Sequence, residues 1–527
     1  MLQTATKPGA AAPAPTPPAG YNAAVDFIDR HLDEGRGQRI AVVDDDGRYT
    51  YAELARRMDA VGRALLQLGV DQEARVAIVM LDSVDFPAAF WGAMKAGFVP
   101  VPLNTLLTSD DYRRIVSDSR AQAVIVSADL MEKVAPALAD QPLLRHVLVQ
   151  GRPLAGLPAL ADLAQAAAGP LEAARRTPDD VAFWLYSSGS TGPAKGVRHL
   201  QGSLRATAEL FGHGILGISA DDVVFSAPKL FFAFGLGNGM THPFSVGATA
   251  VYTALRPTPE TVLAVLDRHQ PTVFFGVPTL FGQVLAAVEK DGVAHARPRL
   301  CVSAGEALPE AVGRAWEARF GCEIVDGVGC TEMLHTFLSN RPGRVRYGTS
   351  GQPVPGYQVR LVDDAGADVA VGEIGELWVQ GPSASGGYWN QRDKSLRTFL
   401  GPWTRTGDKY FVDAPGDYHY CGRADDMMKV GGNWVSPFEV ESILLAHPSV
   451  LEAAVVPARN RANLVKPKAF VVLRDGIEPS SRLERELKDF VRSRAALWKY
   501  PRWIEFIDEL PKTATGKIRR FQLAGRT

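Results

Sequence analysis

Paired cysteines, a membrane-length apolar run and an excess of either charge are what this sequence lacks. Its four cysteines stand at 301, 322, 330 and 421 with no C-x-x-C spacing, which removes the usual sequence signs of a zinc site or redox dithiol. They are expected to be reduced thiols of the core or of a site wall. The most apolar early stretch, Val76 to Leu103, is broken by Asp82, Asp85 and Lys95, so it offers no run of about 18 residues able to span a bilayer. The first 22 residues carry one Lys, no apolar centre and many Pro and Ala, the composition of a tail rather than a signal peptide. Lys plus Arg is 57 against 58 for Asp plus Glu, a net charge of −1. That balance disfavours a nucleic-acid backbone as partner. The expectation is a soluble, cytoplasmic protein with no nucleic acid and no membrane among its partners.

What is present is a core. With 527 residues, 46% hydrophobic and 22% charged, the chain has the composition of a globular protein and enough length for two or more domains at about 150 residues each. Thr50 precedes a helical pattern from Tyr51 to Leu66, and the pieces ARVAIVML, AAFWGAMKAG, FVPVPL and AQAVIVS alternate strand with helix, the order of a parallel sheet covered by helices. The middle repeats it: TVFFGV, the helix from Pro278, RLCVSAG, and a helix from Pro309 to Phe320 with Val312, Trp316 and Phe320 on one face. Short β pieces separated by Gly and Pro fill 344–412 and predict a small β subdomain. Past Gly422 a helix, two strands, a helix and a strand predict a separate α+β unit. The fold class is therefore α/β: a disordered Pro/Ala-rich tail over 1–20, a large N-terminal domain over 21–423 of parallel-type sheets covered by helices with the β subdomain, and a small mobile α+β C-terminal domain over 424–527.

The strongest chemical signal is DVAFWLYSSGSTGPAKGVRH, an apolar strand running into Ser187, Ser188, Gly189, Ser190, Thr191, Gly192 and Lys195. Glycines let backbone N–H groups approach an anion, hydroxyls add donors and Lys adds charge. It is not a G-x-x-x-x-G-K-[ST] loop, because Gly196 follows Lys195. Three further segments bear on it: Cys301 to Ala307 places small residues beside Glu306, Asp326 to Glu332 joins two glycines to a hydroxyl and a carboxylate able to hold Mg²⁺, and Thr406 to Asp408 offers a carboxylate for sugar hydroxyls. Each has a plain alternative when taken alone. Glu332 could be an exposed acid, Lys517 a solvated tail lysine, Lys429 to Asn433 a hairpin turn, FFAF core packing, and His335 a structural histidine.

Together the segments YSSGSTGPAKG, GVGCTE, TGD, GRADDMMKVGG and PKTATGKIRR stand in the order and spacing of the acyl-adenylate-forming superfamily of acyl-CoA synthetases, luciferases and adenylation domains, which the chain resembles over about 40–520. FFAFG, SAGEALP and GCTEMLH make it most similar to aryl-CoA ligases that act on benzoate. The resemblance implies a two-step reaction: a carboxylate attacks the α-phosphate of ATP, releasing pyrophosphate, and the thiolate of coenzyme A then displaces AMP. It implies Lys517, Glu332, Thr191 and Lys195 as the catalytic set, with the 187–195 loop on the β- and γ-phosphates and Thr191 and Glu332 near Mg²⁺. Gly305, Glu306, Ala307, Asp326, Gly327 and Val328 would frame adenine, with Thr331 beside the nucleotide; the family commonly has an aromatic residue where this chain has Val328, which would act as an aliphatic wall. Asp408 would bind the ribose with Arg423 close by, and Lys517 would meet the charge that gathers on the α-phosphate during adenylation. Asp425 matches the hinge, and Lys429, Gly431 and Gly432 would border the CoA channel.

The acid is read from Ala227, Phe232, Phe234, Gly235, Ala304, Gly327 and His335. Pro228 to Gly235 contains no carboxylate, which disfavours an α-amino acid, whose ammonium would need one. Aromatic walls suit a flat ring, so an aromatic carboxylic acid is expected, benzoate first and 2-aminobenzoate as an analogue. Delivery of the acyl group to a carrier protein shares every nucleotide motif and stays open as an alternative. A homodimer also stays open, because it would need an exposed apolar patch.

Overall fold

The computed structural model describes residues 17–187, 194–291, 295–430, 433–460, 464–512 and 518–525. Tyr51–Gln67 is helical because apolar residues recur on one face and Thr50 closes its start: the Thr50 hydroxyl accepts from Glu53 N at 3.2 Å while Glu53 Oε2 accepts from Thr50 N at 2.7 Å. It packs on the helix Asp85–Lys95, and both sit between two sheets. Leu54, Met58, Phe90 and Trp91 share one buried cluster with Val42 of the larger sheet and Val76 and Ile78 of the smaller.

The smaller sheet is parallel, ordered Val99–Pro102, Arg75–Val79, Ala121–Ser127, His146–Gln150. The larger has a parallel centre, Ile324–Gly329, Leu300–Ser303, Val273–Gly276, Val223–Ser226, Thr249–Val251 and Ile40–Val43, with antiparallel strands at both edges. Its strands are apolar on both faces, as the sequence predicted, because helices cover the second face too: Phe274 and Phe225 are buried with Leu266, Phe281, Trp316 and Phe320, and Trp316 stacks on Phe320 at 4.1 Å.

Gln358–Val362, Gly375–Gln380, Phe399–Leu400, Trp403–Val412 and Tyr418–Arg423 form an antiparallel sheet. The sheet runs past 412 to Arg423, and it is interrupted by a polar helix, Arg392–Thr398, whose residues give no apolar period to read. Further on, Val450–Arg459 pairs antiparallel with Val465–Leu473, Trp503–Phe506 adds in parallel, and the helices Pro437–Leu445 and Ser481–Arg492 bury Leu444, Leu483, Leu487 and Val491 against them. Among the described residues no helix is long and apolar enough to cross a membrane. The four cysteines are free, yet tertiary folding brings Cys301 Sγ to 3.6 Å from Cys322 Sγ, a proximity their 21-residue separation does not show.

Candidate active site

Parallel strands that end level with one another leave a crevice beyond their carboxyl ends. Here Ser226 lies beside Phe275, Gly276 beside Ser303, and Ser303 beside Asp326. The next residues along each strand are Ala227, Ala304, Gly305 and Gly327, so four positions expected at the site share one edge. Ala227 N donates to Phe275 O at 3.0 Å, and Ala227 and Ala304 are buried. Glu306 accepts from Thr279 Oγ1 at 2.8 Å, and Ala307 follows it. Gly327 pairs with Ser339, and a Cβ there would stand 2.8 Å from Leu338 O. Strand pairing alone thus demands that glycine. Val328 pairs with Leu338 and is half-buried. The Asp326 carboxyl is pushed well above its ordinary value by burial.

Val181–Ser187 and Lys195–Leu200 form an antiparallel hairpin in which Ser187 faces Lys195. The two strands that flank the expected phosphate loop are therefore antiparallel partners. Ser188, Gly189, Ser190, Thr191 and Gly192 lie outside the described residues, as do Gly431, Gly432 and Lys517. Ser187 Oγ is buried without a hydrogen-bond partner among the described residues, and such an orphan donor at the mouth of the loop suits an anion. The Lys195 ammonium is 3.7 Å from Glu332 Oε1, which belongs to the short turn Thr331–Met333.

Between these two charges stands Tyr388, which carries none of the motifs. Its hydroxyl donates to Glu332 Oε1 at 2.7 Å and accepts from Lys195 Nζ at 3.2 Å, and the ammonium lies 4.4 Å from the ring centroid. A GY pair in a β-rich stretch is common, so the only available signal was Tyr388 itself, a buried aromatic with a polar tip.

Asp408 and Arg423 are opposite each other on paired strands, and Arg423 Nη1 donates to Asp408 Oδ1 at 3.0 Å and to Thr406 O at 2.9 Å. Burial disfavours the guanidinium charge, but Asp408, with Tyr420 and Asp425, outweighs it and holds Arg423 above its ordinary value. The Cys330 thiol is pushed well up, first by burial, then by Glu332 and more weakly by Asp408, which ties the Glu332 turn and the Asp408 pair to one locality. The strand Trp403–Val412 also touches the Thr331–Met333 turn.

His335 is buried, with Nε2 at 3.1 Å from Asn238 Oδ1 and ring contacts to Phe234 at 5.5 Å and His242 at 4.5 Å. Burial lowers it to about 3, against the opposing effect of the Phe234 backbone, so it is neutral. Phe234, expected on a strand or loop, lies instead in the short helix Ala233–Leu236, which Phe232 precedes. Gly235 lets that helix touch the chain before it: an added Cβ would stand 2.5 Å from Pro228 O and closer still to Lys229 O. Phe232 packs edge-on to Phe231 at 4.4 Å. Asp425 sits in the turn between Arg423 and Met428, where Ala424 N donates to Gly407 O and Asp426 N to Arg423 O. Lys429 is exposed on the strand Met428–Val430.

No group of three or more His, Cys, Asp or Glu side chains able to hold a metal ion occurs among the described residues. A lone Glu332 beside a lysine fits Mg²⁺ carried in by phosphates, which keeps its waters and takes one or two carboxylates.

Sequence comparison gives the same picture. The AMP-binding enzyme family model matches residues 29–389, and the AMP-binding enzyme C-terminal domain matches 439–517. The benzoate–CoA ligase of Thauera aromatica is 53% identical over 515 residues, covering 96% of this chain and 97% of that protein. The crystal structure of a benzoate CoA ligase from Burkholderia xenovorans is 50% identical, superposes with a TM-score of 0.89, and covers 96% of this chain and 100% of that one. That of an anthranilate CoA ligase in complex with anthranoyl-AMP is 41% identical with a TM-score of 0.93, covering 97% and 98%.

Proposed function

Since the chain belongs to the AMP-binding enzyme family, we propose that it is an ATP-dependent aryl-CoA ligase converting benzoate, ATP and coenzyme A to benzoyl-CoA, AMP and pyrophosphate. The observation that carries this reading is the meeting at the Thr331–Met333 turn of the Lys195–Glu332 pair and the strand that bears the Asp408–Arg423 pair, with neutral His335, three residues past Glu332, against Phe234. The likeness to benzoate-acting relatives over nearly the whole chain supports the acid.

In the first step the benzoate oxygen bonds to the α-phosphorus and the bond to the β-phosphate oxygen breaks. Lys195 and the loop between the two hairpin strands hold the departing phosphates, and Glu332 would hold a Mg²⁺ ion arriving with them, whose positive charge would offset theirs. Asp408 accepts from the ribose hydroxyls, while Arg423, which donates to Asp408 and to the Thr406 carbonyl, keeps that carboxylate aimed. Lys517 stabilises the charge on the α-phosphate. In the second step the CoA thiolate attacks the acyl carbon and AMP leaves, with the C-terminal unit of 424–527 pivoting at Asp425 so that Lys429, Gly431 and Gly432 replace Lys517. A neutral His335 among phenylalanines provides a flat pocket without a charge, which suits an aryl ring and rejects an ammonium.

Pyrophosphate release with ATP and Mg²⁺ is the test, across benzoate, hydroxy- and aminobenzoates, cinnamate, fatty acids and amino acids, each with and without CoA. Benzoate-dependent release that turns over repeatedly only with CoA is the expected result. A preference for fatty acids would sink the acyl-wall assignment, and CoA-independent turnover would favour transfer to a carrier protein.

A further inference from the structure

Residues 385–389 are stitched to both phosphate-side elements at once. Ser385 N donates to Glu332 O at 2.9 Å, behind the carboxylate. Gly386 N donates to Arg198 O at 2.7 Å, Arg198 N to Gly387 O at 3.1 Å and Trp389 N to Gly196 O at 2.8 Å, which docks the same five residues on the strand that Lys195 begins. The Trp389 indole N–H donates to Asp118 O at 2.9 Å and the ring packs on Trp184 at 4.8 Å. Tyr388 N donates to Ser395 Oγ at 3.1 Å, and its ring meets Phe399 at 5.3 Å. The backbone that carries the phenol is therefore fixed on both sides, and the ring itself packs on Phe399.

Lys195 begins a strand and Glu332 lies in the Thr331–Met333 turn, and the two form an ion pair at 3.7 Å, longer than a hydrogen-bonded contact. The phenol bridges that gap, donating to Glu332 Oε1 at 2.7 Å and accepting from Lys195 Nζ at 3.2 Å. We propose that Tyr388 is a positioning residue for the adenylation step: it sets the spacing of Lys195 and Glu332 and engages Oε1, so that Oε2 is the oxygen that would hold Mg²⁺. The inference rests on the ligase reading above and adds to it a residue outside the five segments that carry the resemblance.

Tyr388→Phe removes the hydroxyl and keeps the ring. Adenylation, read as single-turnover benzoyl-AMP formation, is expected to fall about 10- to 100-fold, the scale of one hydrogen bond to a charged group. The Mg²⁺ concentration for half-maximal rate should rise, and calorimetric binding of a non-hydrolysable ATP analogue should weaken in Mg²⁺ but not in EDTA. Thioester formation from supplied benzoyl-AMP and Tm should stay near wild type. Wild-type adenylation with an unchanged Mg²⁺ curve would overturn the proposal. So would an equal fall in both half-reactions alongside a lower Tm, which would mark a purely structural tyrosine. If the wild-type protein itself released no pyrophosphate with any aryl acid, the ligase reading would fail first, and the analogue titration would still report whether Tyr388 matters to nucleotide binding.

Discussion

An imidazole buried away from water is neutral, and that has a pH consequence. Burial lowers His31 to about 4 and His199 and His335 to about 3, while His242 is held well below its ordinary value by burial and then by His335. Below its ordinary value of 6.5 each gains a proton when unfolded but not when folded, so its contribution is complete above that pH and is lost as pH falls towards the lowered value. Buried Asp82 and Asp326, raised by burial, act in the opposite sense, so a single substitution isolates the effect. His199 stacks on Phe183 at 4.8 Å, and neither ring nitrogen has a hydrogen-bond partner among the described residues. His199→Phe should match wild type at pH 7 and gain on it by up to about 1.4 kcal/mol per pH unit below 6.5, read from urea midpoints at pH 7, 6 and 5. Parallel curves would mean that His199 is protonated in the folded state.

Elements set which residues can meet. The short helix Ala233–Leu236 folds back on Pro228 and Lys229, and Gly235 is the contact. Gly235→Ala is expected to cost about 1–3 kcal/mol by overpacking, seen as a lower Tm, and to raise the KM for benzoate more than it lowers kcat, because the displaced residues are those proposed as the acyl wall. An unchanged KM would detach this helix from the pocket. At this scale the sequence was a good guide to most strands and helices, since two-sided burial writes continuous apolar runs and Thr50 with Glu53 writes a cap. It was a poor guide where no period exists: the polar helix Arg392–Thr398, the single helical turn holding Phe234, and the hydrogen-bonded stretch 385–389.

For the whole molecule the question is how one site performs two reactions. The C-terminal unit touches the rest through Tyr420 on Phe438 at 5.5 Å, while its Arg520 holds the buried Glu441 at 2.7 Å and reaches Asp426 at 3.8 Å. If the unit must pivot, Asp425→Pro, which fixes φ near −65°, should leave benzoyl-AMP formation near wild type and slow thioester formation by about tenfold or more. Lys517→Ala should do the reverse, lowering adenylation on the order of 10²–10³ while sparing transfer from supplied benzoyl-AMP. Both are read by assaying the half-reactions separately, and equal losses in the two would rule out a pivot. The family and the order of its motifs were determined by the sequence alone, because glycines, hydroxyls and charges at fixed local spacing are a chemical signature that needs no folding to be read. Only the tertiary structure decided that Tyr388 joins Lys195, 193 residues away, to Glu332, 56 residues away, and that His335 lies neutral against Phe234. Such meetings depend on which strands lie side by side and on what burial does to a charge, and neither leaves a periodic trace along the chain.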